Sequence, residues 1–201
     1  MTVASAKRAA MLKLIEERHA HQTRNGRAKT PYAEHCVGAA KVLEEALAME
    51  HGKDAIIVEQ LLLATLGHDL YEDGKPTVSR DSIAADYGEE VAALIEEVTN
   101  RKDDLDREDY LAHLRTAPEK AMLIKYADQI DNVESVAAHF DHFEPVEVAL
   151  IIRMLTENFA VLNAYKFGNE WALAANSLRD RLDLAMRKLP QASQEGIRHR
   201  R

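Results

Sequence analysis

A chain of 201 residues, 46% of them hydrophobic, has enough apolar mass for one substantial core, and its composition is unlike that of a disordered or collagen-like protein. Five prolines and eight glycines set against long runs of Ala, Leu, Glu, Lys and Arg favour helices over strands, so the expected fold class is all-α. A formal net charge of −8 argues against binding a nucleic-acid polymer, whose phosphates need cations, and the single cysteine, Cys36, excludes an intramolecular disulfide.

In chain order, residues 4–20 read as a first helix with Ala10 and Leu14, joined by Leu12 and Ile15, on its inner side. The stretch TRNGRAKTPY that follows reads as a loop. A second helix starts near Tyr32, carries Val37, Ala40, Val42 and Leu43, and ends near Gly52. Residues 59–70 form a strongly apolar, buried helix that Gly74 and Pro76 stop. A short helix at 79–87 leads to another at 89–99, and 100–106 is a solvated connection. Longer helices follow at 107–115, 118–138 and 145–166, with a last one at 169–188. The ending QASQEGIRHRR is polar and basic, which reads as a loose tail over 191–201 behind one domain over 1–190. With no charged-then-apolar leader and no apolar span of about twenty residues, a cytoplasmic protein without a membrane partner is expected.

The stretch LGHDLYED, residues 66–73, concentrates four ionisable groups behind an apolar run. If 61–73 is helical, His68 lies one turn below Glu72 and Asp69 one turn below Asp73, so two adjacent faces are polar. Burying neutral histidine beside carboxylates costs free energy unless a cation compensates, and a divalent metal does so compactly. Alone, a His-Asp pair reads as a surface ion cluster, since the dipeptide is frequent by chance. Two further lone polar groups change that weighting. PYAEHCVGAAKVL puts His35 at the start of an amphipathic helix, and IKYADQIDNV places Asp128 within an apolar one. Two imidazoles and two carboxylates make a ligand set suited to Mn²⁺, Fe or a similar metal.

This His…His-Asp…Asp pattern resembles the HD superfamily of phosphohydrolases. RNGRAKTPYAEH, LGHDLYEDGKPT, LIEEVTNRKD and AMLIKYADQIDNVES, in that order, are similar to the hydrolase domain of the RelA/SpoT alarmone enzymes. The similarity runs from Arg18 to Val136, and with no synthetase or regulatory region behind it the chain looks most like the stand-alone small alarmone hydrolases.

The resemblance implies an HD-type helical bundle of about eight to ten helices. It makes His35, His68, Asp69 and Asp128 metal ligands, with Mn²⁺ the usual ion, and Glu72 and Asp73 the acidic pair that assists the attacking water. Asn132 matches a nucleotide-contacting asparagine, and Arg24 matches a basic residue that helps hold the guanine nucleotide. The chain also departs from the pattern. Asn25 stands where a lysine is common, and Cys36 replaces the proline that usually follows the first histidine. In the later helix, Arg153 followed four residues on by Glu157 does not reproduce the family's arginine and tyrosine.

The implied substrate is a guanosine nucleotide with pyrophosphate at its 5′ and 3′ ends, and the reaction releases the 3′ pyrophosphate. Arg24, Lys29, Lys102 and Lys125 are the local cations expected to receive it, with Lys75 and Arg107 close in sequence to the acidic motif. The expected partner is thus a small anionic nucleotide, and homo-oligomerisation is left open. Two alternatives stand beside this reading: another HD-type nucleotide phosphohydrolase, acting on adenosine alarmones or 5′-nucleotides, and a non-catalytic nucleotide-binding module. Elsewhere, HFDHF with His139 and His142 reads as a loop rather than a second metal site. Phe159, Tyr165, Phe167 and Trp171 read as core, and His19 and His21 as shaping the basic loop.

Overall fold

The computed structural model describes residues 3–24, 26–100 and 106–190. Helix α1 (Val3–Arg18) buries Met11 and Ile15 completely, and Arg8, one turn before Met11 on the same face, bonds Glu59 and Glu44. Ile15 is buried as expected, and Met11 joins it on the inner face. Ala10 is exposed and Leu14 only half-buried, because an alanine-rich helix offers little contrast from which to read its register. The following segment is more ordered than a loop. Strands β1 (Thr23–Arg24) and β2 (Thr30–Pro31) pair antiparallel around a 3-10 turn at Gly26–Ala28, with Lys29 in the left-handed region at φ 50°.

Helix α2 (Ala33–Leu47) buries His35, Ala39, Val42, Leu43 and Ala46, a 3.6-residue stripe, whereas Val37 falls off that stripe and is exposed. Helix α3 (Ala55–Leu66) starts at Asp54, whose side chain accepts from the Ile56 N–H, and is buried over Leu61–Leu66. It ends earlier than expected. Gly67 caps it and packs against Ile95, Leu70 and Met11, so residues 67–73 leave the helix as a series of turns. The one-turn relation of His68 to Glu72 is lost, since the Glu72 N–H donates to the Asp69 carbonyl at 3.2 Å, whereas Asp69 and Asp73 keep theirs through the Asp73 N–H bond to the Asp69 carbonyl at 3.0 Å.

Helices α4 (Arg80–Tyr87) and α5 (Glu89–Val98) meet at Gly88, whose φ of 106° suits glycine alone, and Ser79 caps α4 by accepting from Ser82 N–H. Helix α6 (Arg107–Leu114) is capped by Asp106. Helix α7 (Glu119–His139) is the axis of the bundle and packs against α2, α3 and α5, with α8 (Pro145–Ala164) and α9 (Ala172–Met186) on its other sides. Proline at the first position and a reciprocal Glu144/Glu147 capping box start α8. Trp171 is buried in the core, and Phe159, Tyr165 and Phe167 pack against it, as expected. The described residues thus form an all-α bundle of nine α-helices with one two-residue hairpin. No described helix is long and apolar enough to cross a membrane, and the expected tail at 191–201 lies outside the described residues.

Candidate metal centre

Three elements bring the polar groups together. The first turn of α2 supplies His35, the turns behind α3 supply His68 and Asp69, and the middle of α7 supplies Asp128. His35 Nε2 lies 3.1 Å from His68 Nε2, 3.2 Å from Asp128 Oδ1 and 3.5 Å from Asp69 Oδ2. His68 Nε2 lies 3.1 Å from Asp69 Oδ2 and 3.6 Å from Asp128 Oδ1. Two ligand atoms each about 2.1 Å from one ion stand about 3.0 Å apart at a right angle and about 3.4 Å apart at the tetrahedral angle. The measured separations match that spacing.

The hydrogen bonds behind the cluster fix its chemistry. His35 Nδ1 meets Asp131 Oδ2 at 2.7 Å, and His68 Nδ1 meets the Thr65 carbonyl at 2.7 Å. A carbonyl or an ionised carboxylate can only accept, so Nδ1 of each imidazole carries the proton and each neutral ring turns an Nε2 lone pair inward. Two nitrogen lone pairs and two carboxylate oxygens then face one another with no donor among them. Positive charge at their centre satisfies all four together, and a divalent cation fits the set's size and its mixed N/O character.

The titration behaviour follows from the same arrangement. Burial opposes protonation of His35, but hydrogen bonds to Asp128 and Asp131 outweigh it and raise its pKa. For His68, burial is overcome by the charge of Asp69 and by Asp128, and the pKa lies well above its ordinary value. Burial alone would raise the carboxyls. Instead, His68 holds Asp69 below the usual carboxylate range, and Lys125 with the two histidines holds Asp128 well below it. Without a metal, protons on the imidazoles take the place of the cation.

Other polar groups fix these four side chains. Tyr32 donates its hydroxyl to Asp69 Oδ2 at 2.8 Å, and Asn132 donates to Asp128 Oδ1 at 2.6 Å. Lys125 is almost out of solvent, with its ammonium 2.6 Å from Asp128 Oδ2 and 5.6 Å from the Tyr110 ring centre. Arg24 bonds Asp131 and, at 3.4 Å, the side-chain oxygen of Asn132. Glu72 and Asp73 follow the cluster on the same turns, both half-buried. Glu72 Oε2 accepts from the Asn100 N–H at 3.0 Å, and its charge acts with that of Asp128 on the buried Tyr110 phenol. Burial pushes the Cys36 thiol up to about 12, which keeps it a neutral packing group beside His68 and Asp69.

The structure therefore brings His35, His68, Asp69 and Asp128 into one centre, with Arg24, Lys125 and Asn132 tied to its carboxylates. Lys29 is exposed on the hairpin, and Lys102 and Asn25 lie outside the described residues. Arg153 and Glu157 pair with each other at 3.0 Å, and Glu157 also meets Arg107. Asp131, Tyr32 and Gly38 were not singled out in the sequence. The sequence holds a cue for two of them: Asp131 shares a helical face with Asp128 three residues before it, and Gly38 interrupts an alanine-rich helix.

A family model described as HD domain matches residues 12–168. The chain is 32% identical over 123 residues to guanosine-3′,5′-bis(diphosphate) 3′-pyrophosphohydrolase MESH1 of Xenopus tropicalis, which covers 60% of this chain and 64% of the relative. It is 33% identical over 122 residues to the Homo sapiens protein of the same description, covering 59% and 63%. The matched region thus spans slightly under two thirds of the length of these curated relatives. A solved structure described as "A metazoan ortholog of SpoT hydrolyzes ppGpp and plays a role in starvation responses" superposes with a TM-score of 0.73 over 94% of this chain and 98% of that one. At 23% identity, that likeness shows the fold.

Proposed function

We propose, from the premise that this chain belongs to the HD domain family, that it hydrolyses the 3′-pyrophosphate of guanosine alarmones, ppGpp and pppGpp, to GDP or GTP and pyrophosphate. The observation that carries this reading is the inward-facing set of acceptors in which His35 Nε2 and His68 Nε2 lie 3.1 Å apart and each stands 3.1–3.6 Å from Asp69 Oδ2 and Asp128 Oδ1. The names of the matched relatives supply the substrate class.

A divalent ion held by these four groups, Mn²⁺ on the resemblance, supplies Lewis acidity and a water of lowered pKa. The chain's own groups do the rest. Glu72, held by the Asn100 N–H, orients the water or takes its proton as oxygen attacks the phosphorus bonded to the 3′ oxygen. That P–O bond breaks, and Asp73 passes a proton to the departing 3′ oxygen. In this reading Asn132 and Arg24, joined to each other beside the cluster, contact the nucleotide, and Lys29 and Lys102 add positive charge for its phosphates. In this reading 1–190 is the catalytic domain and 191–201 an appended basic tail.

The test is a substrate panel with the Mn²⁺-loaded protein. Guanosine alarmone should be turned over far faster than adenosine alarmone or GMP. A preference for the adenosine compound or for a simple 5′-nucleotide would move the assignment to another HD-type nucleotide phosphohydrolase, and binding without turnover would make the chain a nucleotide-binding module.

A further inference from the structure

Asp131 is one turn beyond Asp128 on α7, and three elements close around its carboxylate. From α2, His35 Nδ1 donates to Oδ2 at 2.7 Å. From β1, Arg24 donates to the same oxygen at 2.5 Å. The other oxygen, Oδ1, fills the space beside Gly38, where a Cβ would stand only 1.9 Å from it. The Asp131 and Arg24 side chains keep 18% and 13% of their exposure, so the pair is largely withdrawn from solvent.

We propose that Asp131 is a positioning residue of the metal centre: gripped by Arg24 and seated against Gly38, its carboxylate fixes the His35 ring with Nε2 aimed at the ion. A carboxylate on the far nitrogen of a ligating histidine fixes its tautomer and orientation, and losing such a partner costs about 10- to 100-fold in metal affinity. Arg24 thereby acquires a second role. One of its amino groups holds Asp131 and the other meets Asn132, so it links the nucleotide-contacting side to His35. The inference deepens the hydrolase reading and rests on it for the reaction served, but metal binding alone tests it.

The full-length protein is stripped of metal and titrated with Mn²⁺ in the absence of nucleotide, and the visible spectrum of its Co²⁺ form is recorded. Asp131→Asn should weaken Mn²⁺ binding by about 10- to 100-fold and shift the Co²⁺ bands. Arg24→Met should weaken binding by a smaller factor and add little in the double variant, because it acts through Asp131. Wild-type Mn²⁺ affinity with an unchanged Co²⁺ spectrum in Asp131→Asn would overturn the proposal, as would single effects that multiply in full. Should Asp131→Asn not fold, Arg24→Met decides, since it leaves the carboxylate and both imidazoles in place and must still lower the affinity. A wild-type protein that binds Mn²⁺ yet turns over no alarmone would remove the hydrolase reading and leave this inference standing.

Discussion

The ammonium of Lys125 lies 2.6 Å from Oδ2 of Asp128, while Oδ1 of the same carboxylate faces His35 Nε2 at 3.2 Å. One oxygen is thus neutralised by a fixed lysine, and the other, which accepts from Asn132, faces the cluster. Burial opposes the lysine's charge, but Asp128 outweighs it and holds the Lys125 pKa well above its ordinary value.

Lys125→Met should therefore expose how much the pair carries. With 13% and 6% of the two side chains exposed, solvent screens the pair little. Removing one partner of such a pair typically costs about 3–5 kcal/mol. We expect a loss of that order in urea unfolding of the metal-free protein, with part of it recovered in excess Mn²⁺ as the ion takes over the neutralisation. Equal unfolding midpoints for variant and wild type would show that Lys125 is not the counter-charge.

Glu72→Gln separates binding from chemistry. The amide keeps an oxygen for the Asn100 N–H and loses the basic function. Turnover should fall by roughly two orders of magnitude or more while bound metal and stability are retained. Loss of metal would identify Glu72 as a ligand instead.

Gly38→Ala gives a prediction of sign. Replacing glycine by alanine inside a helix ordinarily stabilises by about 1 kcal/mol. Here the new Cβ would collide with Asp131 Oδ1, so both stability and Mn²⁺ affinity should fall. Increased stability in urea with unchanged Mn²⁺ affinity would contradict the seating of Asp131 on α2.

The fold was legible because it rests on local rules, and the candidate ligands His35, His68, Asp69 and Asp128 because they stand in a pattern that resembles the HD superfamily. Apolar periodicity places the helices, and His35 and Asp128 stand out as lone polar groups on apolar helices. Elements that depend on distant contacts were not legible. The end of α3 at Gly67, which packs against Ile95 and Met11, removed the expected helical spacing between His68 and Glu72. Two-residue strands around a 3-10 turn give no periodicity to read. On α7, Asp128 and Asp131 share a face, and only the approach of α2 assigns His35 Nε2 to one and Nδ1 to the other. Lys125 reads in the sequence as a cation for the substrate, and only the structure seats it on Asp128.

Metal should invert the pH dependence of stability. The folded pKa values of His35 and His68 are raised, so their contribution in the metal-free protein is complete below the unfolded histidine value of about 6.5 and is lost as pH rises through the folded values. Asp69 and Asp128 are depressed, so their contribution is present above the unfolded carboxyl value of about 4 and is lost as pH falls. The stripped protein should therefore lose Tm between pH 6.5 and the upper end of the histidine titration. With Mn²⁺ the trend should reverse, since the ion displaces those protons and binds more tightly as pH rises. Parallel Tm profiles with and without Mn²⁺ would place the ion elsewhere.

The central claim is tested most directly by following guanosine 3′,5′-bis(diphosphate) with the Mn²⁺-loaded protein by phosphorus NMR, beside Asp128→Ala under the same conditions. The account predicts GDP and pyrophosphate in equal amounts from the wild type. It predicts neither product, and no retained Mn²⁺, from the variant, which lacks both a ligand and a compensating charge. Release of orthophosphate, cleavage at the 5′ pyrophosphate, or undiminished turnover by Asp128→Ala would contradict it.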